Sequence, residues 1–224
     1  MKVYFISGLA ADCRVFKHIH LPAGYETVYL DWITPLENES LQSYAFRMAE
    51  KINTREPFAL VGLSMGGMIA TEIANKFQPT ACIILSSVPT SNQMPGYFKW
   101  AYLLKLHRIV PIGLLQKISI LKRGLAPDAN EDKALLRQVI KDSDPAFIRW
   151  AMNAILCWKN DVVPAMLWHI HGSKDGILPI GWARPTHQVA GGNHLMIMSK
   201  AKELNAFLCE ALAASAAITE PTKS

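Results

Sequence analysis

No uninterrupted apolar run in these 224 residues approaches the ~20 needed to cross a bilayer, which excludes a membrane-spanning helix. Cysteine is scarce. Cys13, Cys82, Cys157 and Cys209 are scattered with no C-x-x-C pair, which argues against a disulfide scaffold and predicts buried free thiols in a reducing, cytoplasmic setting. Internal repeats and low-complexity tracts are missing, and no nucleic-acid reader motif accompanies the net charge of +5. The opening M-K-V-Y-F-I-S-G imitates a secretion signal, but Ser7 and Gly8 break its short apolar stretch, so a buried first strand is expected. Acidic residues are absent from one long segment. Between Tyr97 and Leu125 there are six cations and no acid.

Half of the chain is hydrophobic, ample for a large core and incompatible with disorder as the main state. The charge is unevenly placed. Residues 89–165 hold 11 Lys and Arg against 6 Asp and Glu, while the remainder holds 12 of each. The sequence therefore reads as a neutral scaffold carrying a basic middle third. A bland account makes that stretch a solvated outer face; a sharper one makes it a docking surface for an anionic partner.

Short apolar runs alternate with helical patterns. Strands are expected at Val3–Ile6, Val28–Asp31, Phe58–Leu63, Cys82–Ser86, Met166–Ile170 and Thr186–Val189, and helices at Leu41–Ile52, Met65–Phe77 and Lys200–Leu212. Runs such as F-A-L-V-G-L do not alternate, as suits strands covered on both faces. This rhythm predicts an α/β fold with a doubly wound, mostly parallel sheet. Residues 89–165 carry helix signatures only, at Tyr97–Ile109, Ile112–Leu121, Glu131–Lys141 and Pro145–Lys159, the last with Asp144 as N-cap. They read as a helical lid inserted between core segments 1–88 and 166–214. Residues 215–224 read as a flexible polar tail.

The strongest chemical signal is G-L-S-M-G-G, Gly62 to Gly67, between a strand and a helix. A serine on such a turn is forced into a strained conformation, and glycines two before and two after remove Cβ atoms that would collide. Ser64 is thus the candidate nucleophile. It needs a base, and the base needs an orienting acid. Of seven histidines, His194 in G-G-N-H lies in a turn just before the final helix. Asp175 in H-G-S-K-D-G-I-L-P follows a strand and precedes His194; Asp31 is the rival carboxylate. His169 and His171 could in principle ligate a metal, but no carboxylate or cysteine pattern supports this, and they read as strand-end or surface residues. No metal or cofactor is expected. The backbone N–H groups of Met65 and Leu9, with Ala10 as an alternative to Leu9, are the candidate oxyanion donors.

On I-S-G-L-A, G-L-S-M-G-G, W-H-I-H-G-S-K-D-G-I-L-P and G-G-N-H-L-M-I-M, the chain resembles the α/β-hydrolase fold superfamily from Val3 to about Leu212, outside the insertion. The resemblance implies a Ser–His–Asp esterase-like or thioesterase-like site beneath a helical lid, acting on a small, largely apolar acyl substrate. For a thioesterase, the sharper reading of the basic stretch becomes a docking surface for acyl carrier protein or coenzyme A phosphates. A hydrolase-fold binding protein with slow or no turnover is the alternative. Three departures stand out. Ser7 occupies a place where many members have histidine, the loop after Asp31 lacks glycines, and the short gap from Asp175 to His194 leaves room only for a turn around Leu178–Arg184.

Overall fold

The computed structural model describes residues 1–103 and 130–219. Six strands form one sheet: β1 (Lys2–Ile6), β2 (Glu26–Tyr29), β3 (Phe58–Leu63), β4 (Ala81–Leu85), β5 (Leu167–Gly172) and β6 (His187–Val189). Every pairing is parallel and the order is β2-β1-β3-β4-β5-β6. The chain winds outward one way from β1 to β2 and the other way from β3 onward. The order reverses between β1 and β3, and the crevice at their carboxyl ends is where parallel α/β sheets hold ligands.

Both faces are buried, which is why the central strands are apolar throughout. Tyr4, Ile6, Leu60 and Ile84 pack on one side with Tyr44 and Met48 of α1 (Leu41–Ala49) and Ile69 and Ile73 of α2 (Met65–Phe77). Val3, Phe5, Val61 and Ile83 pack on the other with Leu204, Leu208 and Ala211 of the last helix. The edge strand β2 sits two residues earlier than expected. It pairs through its backbone with Lys2–Phe5 and exposes most of its side chains, so apolar content is a poor guide to its limits. β5 runs to Gly172, two residues past its expected end, because those residues pair with β6.

Between β4 and β5 the described elements are helical: α3 (Gly96–Leu103), α4 (Asn130–Asp142) and α5 (Pro145–Cys157), besides a short 3-10 turn at Ser91–Gln93. The expected helix at Ile112–Leu121 and most of the basic stretch lie outside the described residues. Asp144 caps α5, its Oδ1 accepting the Ala146 amide at 2.9 Å. Side-chain contacts fasten these helices to the core. Trp158 Nε1 donates to the buried Glu72 carboxylate of α2 at 2.7 Å, and Trp150 Nε1 donates to the Glu39 carbonyl at 2.9 Å. At the start of α4, Asp132 takes Lys17 at 2.6 Å and His18 at 3.2 Å; at its end, Asp142 takes Arg14 at 2.8 Å.

After β5 come α6 (Ile180–Ala183), the expected turn, then α7 (Met196–Ser199) and α8 (Ala201–Thr219). α8 extends five residues into the segment read as a tail. Its A-A-S-A-A run favours helix, and Ser215 is buried with its hydroxyl bonded to the Leu212 carbonyl at 2.8 Å. All four cysteines are free, but only Cys82 is buried. Cys157 closes α5 and Cys209 lies on an exposed face of α8, so helical placement alone did not imply burial. Among the described residues no helix is long and apolar enough to cross a membrane.

Candidate active site

The turn from β3 into α2 carries Ser64 at φ 53 and ψ −118, a left-handed conformation that side chains other than glycine rarely adopt. The surroundings over-determine it. Ser64 N–H donates to the Leu85 carbonyl at 2.9 Å, and its own carbonyl accepts from Gly67 N–H at 2.8 Å and the Ser87 hydroxyl at 2.7 Å. A Cβ on Gly62 would lie 2.3 Å from the Gly66 carbonyl oxygen, and one on Gly66 would lie 2.2 Å from those of Ile6 and Ser7. The motif's glycines are therefore steric requirements of packing α2 against the ends of β1 and β3.

The turn after β1 is equally close. A Cβ on Gly8 would stand 3.3 Å from the Ser64 Cβ, so Leu9, next in the chain, is carried on the turn that abuts the elbow. Ala11 N–H closes this turn onto the Gly8 carbonyl at 3.1 Å, with Ala10 at φ 55. The Ser7 hydroxyl donates to the Ala11 carbonyl at 2.9 Å, and Trp32 Nε1 donates to the same oxygen at 2.8 Å. Ser7 thus braces the turn in its own way. Met65 is fully buried at the first position of α2, where its amide has no intrahelical acceptor and where the helix dipole is positive.

Asp175 and His194 come from two turns stitched together beyond β5 and β6. Lys174 N–H donates to the Gly192 carbonyl at 2.8 Å and Gly191 N–H to the Ser173 hydroxyl at 2.8 Å. Gly172 admits this contact, since a Cβ there would lie 2.3 Å from the Gly192 oxygen. The result is a relay. His194 Nδ1 lies 2.8 Å from Asp175 Oδ2, and His194 Nε2 lies 3.0 Å from Ser64 Oγ. Asp175 and His194 are both buried. The carboxylate fixes the tautomer: with Nδ1–H facing Oδ2, the Nε2 lone pair faces the serine hydroxyl, which donates to it.

Asp175 Oδ1 accepts the amides of Ile177 and Leu178, each at 2.8 Å. Burial alone would raise this carboxyl's pKa. Hydrogen bonds from His171 and His194, the charge of His194 and the Leu178 amide outweigh it and hold the group well below the ordinary carboxylate range. Asp31, the rival carboxylate, is exposed beyond β2. His169 and His171 are fully buried on β5, contrary to the surface reading, because the strand continues past them. His169 donates its Nε2–H to the Ser87 carbonyl at 2.8 Å, and burial lowers its pKa to about 3, with its neighbour His171 adding to the effect. Among the described residues no group of three or more His, Cys, Asp or Glu is placed to hold a metal. Sequence reasoning missed the contact of His171 with Asp175; the signal was there in H-G-S-K-D, four residues apart.

A family model described as the alpha/beta hydrolase family matches residues 3–207. The chain belongs to that family. No curated protein matches it in sequence. Among solved structures, it is similar to a thermophilic esterase from Thermogutta terrifontis (18% identity, 96% of this chain and 90% of that one, TM-score 0.76). MenH from S. aureus is similar too, at 15% identity, covering 96% and 94%, with TM-score 0.76. So is a bromoperoxidase from Bacillus anthracis, at 16% identity, covering 95% and 91%, with TM-score 0.70. Likeness at such identities establishes the shared fold alone, and an esterase and a bromoperoxidase both have it. What this α/β-hydrolase does must be argued from its own site.

One apolar cluster spans the sheet face that α1 and α2 cover. Leu9, Phe98, Trp150 and Ile177 are half-buried against the core cluster that holds Met65, Met94 and Leu178. The hydroxyl of Tyr97, on α3, reaches the Ile177 carbonyl two residues from the acid. Met196 and Met198, by contrast, pack on the opposite face of the sheet, away from this wall.

Proposed function

We propose that the protein is a serine hydrolase that cleaves an ester or thioester of a small, largely apolar acyl substrate. Ser64 is the nucleophile, His194 the general base and then acid, and Asp175 the orienting carboxylate. The observation that carries this reading is the unbroken relay from Ser64 Oγ to His194 Nε2 at 3.0 Å and from His194 Nδ1 to Asp175 Oδ2 at 2.8 Å.

Ser64 Oγ attacks the acyl carbonyl while its proton passes to His194 Nε2. The carbonyl oxygen becomes an oxyanion, received by the backbone N–H groups of Met65 and Leu9. Asp175 stabilises the imidazolium without taking its proton. Collapse of the tetrahedral intermediate breaks the bond to the alcohol or thiol, which leaves with the proton from His194. Water, deprotonated by His194, then attacks the acyl-enzyme and releases the acid and Ser64. The helices α3, α4 and α5 act as a lid, with the half-buried side chains near α3 and α5 lining an acyl pocket.

The test is a panel of p-nitrophenyl esters of varied chain length beside acyl thioesters, with Ser64→Ala as control. Turnover by the wild type that Ser64→Ala loses by at least about a thousandfold supports the assignment. Full retention by Ser64→Ala sinks it. Labelling of Ser64 by a fluorophosphonate without measurable turnover of any ester would favour the binding-protein alternative.

A further inference from the structure

Asp175 has a second histidine on it. His171 Nε2 lies 2.7 Å from the Leu178 carbonyl and 3.1 Å from Asp175 Oδ2, the same oxygen that faces His194. Both neighbours of this nitrogen are acceptors, so it carries the proton. His171 and the Asp175 side chain are fully buried, and no protein group partners His171 Nδ1 among the described residues.

We propose that His171 is a positioning residue of the acid–base pair, resting on the assignment of Ser64, His194 and Asp175. Its Nε2–H closes the Asp175–Leu178 turn and holds Oδ2 toward His194. It acts in two ways. The bond to the Leu178 carbonyl ties down the chain whose amides grip Oδ1, so the carboxylate plane is fixed from both ends. The same N–H also places a partial positive charge beside Oδ2, sharing the oxygen with His194 Nδ1 and moderating its pull on the imidazole. His171 touches neither the serine nor the reacting atoms; it works through Asp175.

Among the described residues, the titratable groups facing the pair are His194 itself, His169 on the same strand with its ring edge-on to His171 at 5.5 Å, and Tyr97 on α3, whose hydroxyl reaches the Ile177 carbonyl. His169 stays neutral because its burial opposes charging, and burial, with the Asp175 charge adding to it, raises the Tyr97 phenol. Neither changes charge near neutral pH, so the pH profile of the site reads the His194–Asp175 pair.

The experiment measures the rate of Ser64 labelling by a fluorophosphonate against pH, with the labelled residue mapped by peptide mass spectrometry. This needs no knowledge of the substrate. His171→Leu removes the donor; His171→Gln returns an N–H near the Nε2 position. We expect the plateau rate per folded molecule to fall about tenfold in His171→Leu and its acid limb to rise by about half a pH unit, as Oδ2 is left to His194 alone. His171→Gln moves both back toward wild type. A His171→Leu profile that overlays the wild type, or two variants that behave alike, overturns the proposal. If His171→Leu fails to fold, nitrogen NMR of histidine-labelled wild-type protein decides. A His171 that carries its proton on Nε2 supports it, and one that carries it on Nδ1 alone overturns it. Labelling that maps to a residue other than Ser64 would instead bring down the catalytic reading itself.

Discussion

The two turns that build this site stand at the carboxyl ends of parallel strands, yet they are held by different balances of steric and polar contact. The turn of Ser64 is fixed by backbone against backbone, with Gly62 and Gly66 pressed onto carbonyls at distances no Cβ could occupy. The turn of Asp175 rests on one such contact, Gly172 against Gly192, but its acid is held by hydrogen bonds, with two amides on Oδ1, two histidines at Oδ2 and open space around Gly176. Steric fixing writes itself into the sequence as glycine. Polar fixing uses residues that could stand anywhere.

The largest break in this comparison comes from the polar side. Asp175→Asn keeps shape but offers an amide N–H where His194 Nδ1–H now donates, so the imidazole turns to its other tautomer and presents Nε2–H to Ser64. Ester turnover is expected to fall about a thousandfold or more while the fold persists. Circular dichroism beside the rate measurement checks both halves. A fall of less than tenfold would mean that Asp175 does not orient the base.

The next break is on the steric side. Gly66→Ala drives a methyl into the Ile6 and Ser7 carbonyls, and either α2 or β1 must move. Destabilisation of about 3 kcal/mol or more is expected by urea denaturation. Gly176→Ala is the matched control in the acid turn. Nothing lies within 4 Å of its added Cβ, and its stability should stay within about 0.5 kcal/mol of wild type. Equal costs for the two would erase the distinction between the turns.

This contrast also explains what the sequence made legible. Ser64 was readable because its elbow demands glycines, and Asp175 and His194 because their turns follow strands in the right order. The buried strands β3 and β4 were readable from unbroken apolar runs. The edge strand β2 was not, since an exposed edge is recruited by backbone pairing and needs no apolar signature. The burial of His169 and His171 was hidden for a related reason. Whether His171 is at a strand's end or inside it depends on β6 pairing beside it, a contact that local pattern does not carry. The attachment of α4 and α5 through Arg14, Lys17, Trp150 and Trp158 is likewise invisible in any single segment.

The smallest predicted effect probes that attachment, and its sign with pH is the informative part. Asp132 binds Lys17 at 2.6 Å and His18 at 3.2 Å, tying the start of α4 to the helical turn Cys13–Phe16 and the residues after it, just beyond the Leu9 turn. Burial tends to raise the Asp132 carboxyl, but hydrogen bonds and charge from Lys17 and His18 win and depress it. A depressed carboxylate stabilises the fold fully above its unfolded value of about 3.9 and loses that contribution as pH falls through its folded value. Asp132→Asn should therefore cost about 1 kcal/mol near neutrality, since Lys17 remains partly in water. Denaturation curves should show the gap between wild type and variant beginning to close near pH 4 and closing as pH falls through the lower folded value, and added salt should narrow it at neutral pH. A gap that survives acid unchanged would mean that Asp132 acts through packing and not through charge, and the contrast between a sterically held core and an electrostatically tethered insertion would lose its clearest support.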